Sequence, residues 1–259
     1  MAVHAVDSRN QQLLLQALRV DLAAAHRLAV LHELDEGIDN HFTAMVPGQP
    51  QHYLALPFGL HWSEASASNL IVCDAQGKTI AGNGLVELSA HCIHEPVHRL
   101  CGAQVVLHTH QPWTLALNML EDNRLVTASQ TAAFFHGRVA YDDHYAGTAD
   151  DPSEGERLAA VLGDPKGRKH TLFMKNHGVM VTGDTVAQAY RRLYMLERVC
   201  KAQVLAMSSG RPLAPLSDKV IAQVQAPVDH DPHSRVERER LFIEAMKRVL
   251  DRELPGYAD

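Results

Sequence analysis

Short apolar segments of strand length alternate along this 259-residue chain with longer segments of helical periodicity. The segments with the length and apolar content of short strands are 52–56, 70–73, 79–80, 105–107, 139–141 and 171–174. Apolar residues spaced three or four apart, as in helices that bury one face, occur in 12–34, 93–100, 113–120, 154–162, 186–199 and 236–250. This interleaving predicts an α/β fold, although the irregular connections leave the strand order open.

The chain is predicted to form one domain, because 259 residues can bury a sizeable core in a single unit. We expect the polar residues 1–11 to be a disordered tail and residues 12–210 to form the body of the domain. Beyond residue 210, regular structure is interrupted by Pro212, Pro215, Pro227 and Pro232. Residues 211–259 are therefore predicted to be an extended strap and a C-terminal helix of the same domain.

Charge and composition argue against two classes of partner. A formal net charge of -6 offers no basic surface to neutralise phosphates, so we do not expect a nucleic acid partner. No segment approaches the roughly 18 uncharged apolar residues of a membrane span, and the N-terminal residues lack the apolar core of a signal peptide. We therefore expect a cytoplasmic protein without membrane association. The four cysteines have no C-x-x-C spacing, which predicts free buried thiols.

Histidine is unusually frequent, with 17 copies, and three of them form a candidate metal site. His108 and His110 directly follow the apolar strand at 105–107, and side chains two positions apart in an extended chain point the same way. This composition produces about one His-x-His pair by chance. The pair therefore indicates a metal site only because it directly follows the apolar strand. His177, in a Lys-Asn-His-Gly turn, also follows a predicted strand. Three neutral nitrogen donors with open positions are typical of a catalytic divalent-metal site.

A second histidine motif, His94-Glu95-Pro96-Val97-His98, matches the H-E-x-x-H signature of metalloproteases. Proline between the two histidines should disturb the helix that sets their geometry. The longer metzincin pattern also fails, since Cys101 and Gln104 stand where it requires Gly and His. We therefore favour hydrogen-bonded helix residues near the metal site over a protease centre for His94 and His98.

Four segments resemble the class II aldolase and adducin family. They are residues 93–120, which contain the His-x-His pair, KNHGVMVTGDT at 175–185, GIDNHFTAMVPG at 37–48, and LPFGLHWSE at 56–64. Residues 37–48 resemble the family's ligand-binding loop around an asparagine, here Asn40, which we call the Asn loop. The resemblance implies a three-layer α/β/α sandwich around a mostly antiparallel central sheet. It also implies a homotetramer with the active site at a subunit interface, and a small-molecule substrate held by Asn40, Gly59 and Ser89. The implied metal is zinc, with manganese, cobalt or iron as alternatives.

The chain departs from the family pattern at its expected proton-transfer group. The family's catalytic acidic residue aligns with Ala90, or with Ser89 if the following loop is one residue shorter. The acidic residue that some epimerases carry falls at Ala133, and the family's arginine near the Asn loop is Met45 here. The weak phosphate match suggests a substrate without a phosphate. Glu95 and Tyr141 are the proton carriers proposed in place of the missing carboxylate, with Glu87, Tyr145 and His136 as alternatives, although an ordinary solvated charge is favoured for both glutamates.

Three functions follow from these observations. The first is a carbon-carbon lyase or epimerase, in which the metal ion stabilises an enediolate or enolate of a small hydroxy-carbonyl substrate. The second is a non-catalytic binding or assembly module, as the lack of the acidic residue resembles adducins. The third is a non-haem iron oxygenase or a decarboxylase on the same fold.

Overall fold

One mixed sheet forms the centre of the molecule. The computed structural model describes residues 2–145, 147–163 and 169–259, and within them the sheet has eight strands in the order β4-β3-β2-β1-β5-β8-β7-β6. The strands are β1 His41–Met45, β2 His52–Ala55, β3 Ile71–Asp74, β4 Thr79–Ala81, β5 Val105–Thr109, β6 Val139–Asp142, β7 Thr171–Met174 and β8 Gly178–Gly183. Strand neighbours are antiparallel except for β6 and β7, which confirms the mostly antiparallel sheet.

Helices cover both faces of this sheet. They are α1 Ala2–Leu31, α2 Leu88–Cys101, α3 Pro112–Asn118, α4 Gln130–Ala133, α5 Pro152–Leu162, α6 Val186–Met207, α7 Asp218–His230 and α8 Pro232–Glu253. A short 3-10 turn spans Trp62–Glu64. None of the helices in the described part of the chain is both long and apolar enough to cross a membrane.

Side chains of the central strands alternate between two cores, because successive residues of a strand point to opposite faces. Val105 and Leu107 of β5 belong to a core that α1, α6 and α8 cover, whereas Val106 belongs to a core that α2 and α5 cover. Helices, sheet and helices thus form three layers, as the resemblance implied. By the same alternation, His108 projects to the α2 side of the sheet.

The ends of the chain differ from the predictions. The expected disordered tail is wrong from Ala2 onward, because α1 begins there and residues 2–11 contain no Gly or Pro to interrupt it. The expected strap contains a helix, α7, so that only residues 208–217 run outside helices before it. Two of the prolines that were expected to interrupt regular structure lie in helices. Pro227 lies in the last turn of α7, and Pro232 opens α8, where the missing N–H costs no helical hydrogen bond.

Two strands that flank the predicted metal site were not recognised from the sequence. The sequence predicts no strand at β1, because its polar residues His41 and Thr43 hide the apolar run of a buried strand. It predicts none at β8 either, since glycines stand at both ends of this segment. Both strands pair with β5 in the centre of the sheet, which is why their residues are buried despite the weak local signal.

Pro96 lies inside α2 without ending it. Proline at this position supplies no N–H to the carbonyl of Cys92, four residues earlier. The backbone of Gly155 in α5 packs against that same carbonyl, and a Cβ atom at Gly155 would lie 2.1 Å from the Cys92 oxygen and 2.8 Å from Pro96 Cγ. Close contact between α2 and α5 therefore depends on the absence of a side chain at residue 155.

We expect Gly155→Ala to lower the free energy of unfolding by about 1–3 kcal/mol, because the added methyl group overpacks the contact between α2 and α5. Helix propensity alone predicts the opposite change in the free energy of unfolding, because it favours alanine over glycine by about 1 kcal/mol. Urea denaturation followed by circular dichroism measures the change. Ala160→Gly, on the exposed face of α5, serves as the control and should cost only the propensity difference. A stabilised Gly155→Ala variant would contradict the packing argument.

Candidate metal centre

The structure brings together the three histidines that the sequence analysis selected. His108 lies in β5, His110 directly follows this strand, and His177 lies in the turn between β7 and β8. Pairing of β5 with β8 places this turn beside the end of β5. One nitrogen atom from each ring lies within 4.8 Å of the other two, and the ring centroids are 4.8 to 4.9 Å apart. We call these residues the histidine triad.

Hydrogen bonds fix the tautomers of two triad rings. Nδ1 of His108 lies 3.0 Å from the carbonyl oxygen of Val179, and Nδ1 of His110 lies 2.5 Å from Oε2 of Glu36. Both oxygens accept, so each Nδ1 carries a hydrogen, and it is Nε2 of each ring that can bind a metal ion. These two Nε2 atoms are 3.2 Å apart. One cation can therefore be bound by both nitrogen atoms.

The rings are held in the form that binds metals. Burial and the neighbouring His177 lower the pKa of His108 well below its usual value, and burial also lowers the pKa of His177 to about 4. Both imidazoles are therefore neutral at pH 7, as metal ligands must be. A metal-binding histidine commonly donates its other ring N–H to a carboxylate or a backbone carbonyl, as His110 and His108 do here. The donor set fits a divalent transition metal ion.

Asn40 and Glu36 form the wall of the site next to His110. The Asn40 side chain accepts a hydrogen bond from the backbone N–H of His110 at 2.7 Å and donates to Glu36 at 3.4 Å. Its backbone φ of 70° lies in the left-handed region, where Asn is better tolerated than most residues. The amide that was expected to bind substrate thus also positions a triad residue. The sequence analysis did not select Glu36 as a site residue. Its only sequence signal is that an acidic residue directly precedes the Asn loop.

A buried asparagine supports the turn that carries His177. The Asn118 side chain donates to the carbonyl oxygens of Met174 and Gly178, at 2.5 and 2.7 Å. Gly178 has no room for a side chain, since a Cβ atom there would lie 2.6 Å from the Thr109 carbonyl oxygen and 2.7 Å from Cδ2 of His110. The glycine after His177 is therefore required for close approach of this turn to the His-x-His pair.

The histidines of the H-E-x-x-H motif lie beside the triad and bind other protein groups. His94 contacts His41 through Nε2 at 2.8 Å and Thr43 Oγ1 through Nδ1 at 2.7 Å. His98 contacts the same Thr43 oxygen at 2.8 Å and donates from Nδ1 to the Ala103 carbonyl at 2.6 Å. All four ring nitrogens are occupied, as expected for hydrogen-bonded helix residues. These contacts do not support a protease centre. The proline in the motif does not account for this, because Pro96 lies inside α2 without ending the helix.

The two residues favoured for proton transfer lie apart from the triad. Glu95 is bound to Arg99 on the same helix, with Oε1 2.9 Å from the guanidinium Nε. Tyr141 packs against Phe173 on the α6 side of the sheet, opposite to His108, and its hydroxyl accepts from the backbone N–H of Leu125. Strand alternation explains this placement, because Tyr141 is one residue out of phase with the α2 side.

The remaining candidates have mixed placements. Ser89 donates a hydrogen bond from Oγ to Oε1 of Glu87 at 2.7 Å. Gly59 has a φ of 95° in the loop after β2 and contributes only backbone. The Tyr145 ring lies near the triad, with its centroid 5.8 Å from that of His177. His136 lies elsewhere, where its Nδ1 contacts the Thr127 hydroxyl.

We expect Gly178→Ala to weaken the affinity for added Zn²⁺ by about tenfold or more, because the methyl group must displace the His110 ring or the β5 backbone. Competition with a chromogenic zinc chelator measures this change. Gly102→Ala is the matched control, since a Cβ atom at this left-handed glycine meets nothing within 4 Å. Equal zinc affinity in the two variants would argue against crowding at residue 178.

Comparison with known proteins places the chain in a family. Residues 20–204 match the model of the Class II Aldolase and Adducin N-terminal domain. A protein of Caulobacter vibrioides described as an aldolase class 2 protein is 34% identical over 248 residues, covering 93% of this chain and 91% of its own length. Alpha-adducin of Rattus norvegicus is 31% identical over 197 residues, which are 74% of this chain but 26% of the adducin.

Solved structures agree with this assignment. An aldolase II superfamily protein from Pseudomonas syringae superimposes with a TM-score of 0.85 at 35% identity, covering 94% of this chain and 96% of the other. An L-fuculose 1-phosphate aldolase from Glaciozyma antarctica has the same fold, with a TM-score of 0.80 at 23% identity over 92% of each chain. From the domain match, and from the Caulobacter vibrioides and Pseudomonas syringae proteins that are above 30% identical over most of both chains, it follows that the protein belongs to the class II aldolase and adducin family.

Proposed function

We propose that this protein is a divalent-metal-dependent carbon-carbon lyase or epimerase that acts on a small hydroxy-carbonyl compound. The observation that carries the proposal is the convergence of one ring nitrogen from each of His108, His110 and His177 within 4.8 Å of one another, with the Nε2 atoms of His108 and His110 3.2 Å apart. Three imidazoles that meet in this way are the usual ligand set of a catalytic divalent metal ion. Membership of the class II aldolase and adducin family supports the proposed reaction class, which is carbon-carbon cleavage or epimerisation.

The three triad residues would hold the ion through neutral imidazole nitrogens, which leaves further coordination positions open. When bound, the ion supplies a Lewis acid that stabilises negative charge on substrate oxygens. Zinc suits three imidazole ligands best, and manganese, cobalt and iron are the alternatives. His108 is buried between β8 and His41, so water is excluded from one side of the site.

The other residues of the site act by fixing these ligands. Glu36 and the Val179 carbonyl hold the ring N–H groups, and the Asn40 side chain holds the backbone of His110. An arrangement fixed in this way needs little reorganisation when substrate charge develops, which is the usual origin of electrostatic catalysis.

We propose a substrate without a phosphate group. The residue at the position of the family's arginine, Met45, packs beside Tyr53 in a small apolar cluster. We further propose a cytoplasmic homotetramer with the site near a subunit interface. Four exposed apolar side chains lie in the segments around Asn40 and the start of α2: Ile38, Phe58, Leu85 and Leu88. Such a concentration of exposed apolar residues suits a buried contact between subunits.

A binding or assembly module is the second candidate function. The specific observation in its favour is the 31% identity to an alpha-adducin together with Ala90 at the position of the family's acidic residue. The histidine triad favours the enzyme instead, because a scaffold has no need of a ligand set with open positions. The two candidate functions differ in whether the protein activates a substrate. The hydrogen-exchange experiment below measures this difference.

We expect the purified protein to contain about one divalent metal ion per chain, and His108→Ala and His177→Ala to lose it. Inductively coupled plasma mass spectrometry measures the content in protein expressed without added metal. His94→Ala and His98→Ala are the controls, since these buried histidines bind protein groups and not the ion. Zinc, manganese or cobalt would favour the lyase, and iron the oxygenase or decarboxylase. Full metal content in both triad variants would rule out the site.

We also expect the metal-loaded protein to exchange the α-hydrogens of dihydroxyacetone or hydroxypyruvate with D₂O, because stabilising an enediolate acidifies those C–H bonds. Proton NMR follows the exchange, which should be at least about tenfold faster than with His108→Ala or with chelator-treated protein. A metal-loaded protein that causes no exchange in either compound would favour the adducin-like module.

A further inference from the structure

The two carboxyl oxygens of Glu87 have different surroundings. Oε1 accepts a hydrogen bond from the Ser89 hydroxyl at 2.7 Å. Oε2 is buried and has no hydrogen-bond partner in the described part of the chain. Glu87 directly precedes α2, but its side chain does not cap the helix. A buried polar atom without a partner costs roughly 1–3 kcal/mol, so such an atom calls for a ligand or a functional reason.

Glu87 lines a small cavity, and a second residue that lines it also has an unpartnered polar atom. The cavity, of about 20 Å³, lies between the Asn loop, the loop after β2 and the start of α2. His26 also lines it, and its buried Nε2 has no partner. Nδ1 of His26 faces the Leu22 carbonyl at 2.8 Å and therefore carries the hydrogen, which leaves Nε2 as an acceptor. The volume suits one hydroxyl-sized polar group.

This cavity adjoins the histidine triad through two of its wall residues. Asn40 accepts the hydrogen bond from His110, and the His41 ring centroid lies 4.9 Å from that of His108. His110 is also close enough to lower the pKa of Glu87, whereas burial, the largest effect, raises it above its usual value. A carboxyl group with a raised pKa can both accept and donate a proton nearer to neutrality than an ordinary glutamate.

Glu87 is better placed for proton transfer than Glu95, which lies in the middle of α2. Glu95 is neutralised by Arg99, and the cavity that it lines lies against Tyr53 and Gln104, with no triad residue among its described walls. The Ser89 hydroxyl holds only Oε1 of Glu87, which leaves Oε2 available. None of the described residues that line the Glu87 cavity is Lys or Arg, so the cavity suits an uncharged hydroxyl or carbonyl and not a phosphate.

We propose that Glu87 is the proton-transferring catalytic residue of this site, in place of the carboxylate that the family carries at the position of Ala90 or Ser89, and that it acts through Oε2 on a hydroxyl-bearing, uncharged part of the substrate. This inference rests on the proposed function. It also assigns the cavity beside Asn40 and His41 as the place where that part of the substrate binds.

The proton balance of the step is simple. In cleavage, the Glu87 carboxylate takes the proton of the substrate hydroxyl as its oxygen forms a carbonyl and the carbon-carbon bond breaks. The electron pair of that bond remains on the other fragment as an enediolate. The Glu87 carboxyl then returns the same proton to the enediolate carbon. In the exchange reaction, the carboxylate instead removes an α-hydrogen as a proton and returns a deuteron after exchange with D₂O.

We expect Glu87→Gln to slow the exchange of dihydroxyacetone α-hydrogens by about 100-fold or more in the metal-loaded protein, with full metal content. Glu95→Gln is the matched control on the same helix and should exchange within about twofold of wild type, because Arg99 already occupies that carboxylate. Glu87→Asp keeps the charge but places it one methylene group further back. Its exchange rate should therefore lie between those of Glu87→Gln and Glu95→Gln.

In the wild-type protein the exchange rate should rise as the pH increases through the pKa of Glu87. The exchange rate of Glu87→Gln should not show this rise.

A binding measurement tests the same residue without turnover. Calorimetry with glycolohydroxamate, a mimic of an enediolate, should show affinity that is weakened by about tenfold in Glu87→Gln and unchanged in Glu95→Gln, because the charged acceptor is lost. Exchange and binding equal to wild type in Glu87→Gln would overturn the proposal. That result would leave metal-dependent exchange intact, whereas a wild-type protein without any exchange would overturn the proposed function itself. In that second case, equal glycolohydroxamate affinity in both proteins would overturn the role of Glu87 as well.

Discussion

The approach of the Nε2 atoms of His108 and His110 to 3.2 Å is the constraint on which the rest of the site depends. Each ring is fixed by its other nitrogen, one through the Val179 carbonyl and one through the Glu36 carboxylate. Neither partner is close to its histidine in sequence, so the arrangement exists only in the folded chain. Two imidazole nitrogens held this close can bind one cation, and the free energy of metal binding then adds to the free energy of folding.

The fold supplies this geometry from the centre of its sheet. β5 is paired on one side with β1 and on the other with β8, so His108 lies where backbone position is most restrained. Asn118 holds the turn after β7, and Gly178 lets that turn approach β5. The triad is thus carried by strand ends and a braced turn and not by long loops. Ligands held in this way keep their positions when the metal ion is exchanged or the substrate binds.

A row of buried polar side chains connects α2 to the sheet beside the triad. It runs from the Ala103 carbonyl through His98, Thr43 and His94 to His41. Because that carbonyl only accepts, the neutral tautomers follow in turn: His98 donates to it, Thr43 to His98, His94 to Thr43, and His41 to His94. Both ring nitrogens of His94 and both of His98 have a partner in this row, which explains how two histidines of a protease-like motif can be buried without a metal.

Local sequence determined the elements with strong periodicity and the chemistry of the three imidazoles. The helices around residues 12–31 and 186–199, the strands at 105–107 and 171–174, and the choice of His108, His110 and His177 all followed from spacing and residue type. Tertiary structure alone decided that His41 and Thr43 form a buried strand, that Glu36 holds a triad ring, and that Glu87 lines the cavity beside the triad while Glu95 pairs with Arg99. The reason is physical: periodicity reports which face a segment buries, whereas a hydrogen-bond partner or an empty space beside a carboxyl group arises from residues far apart in the chain.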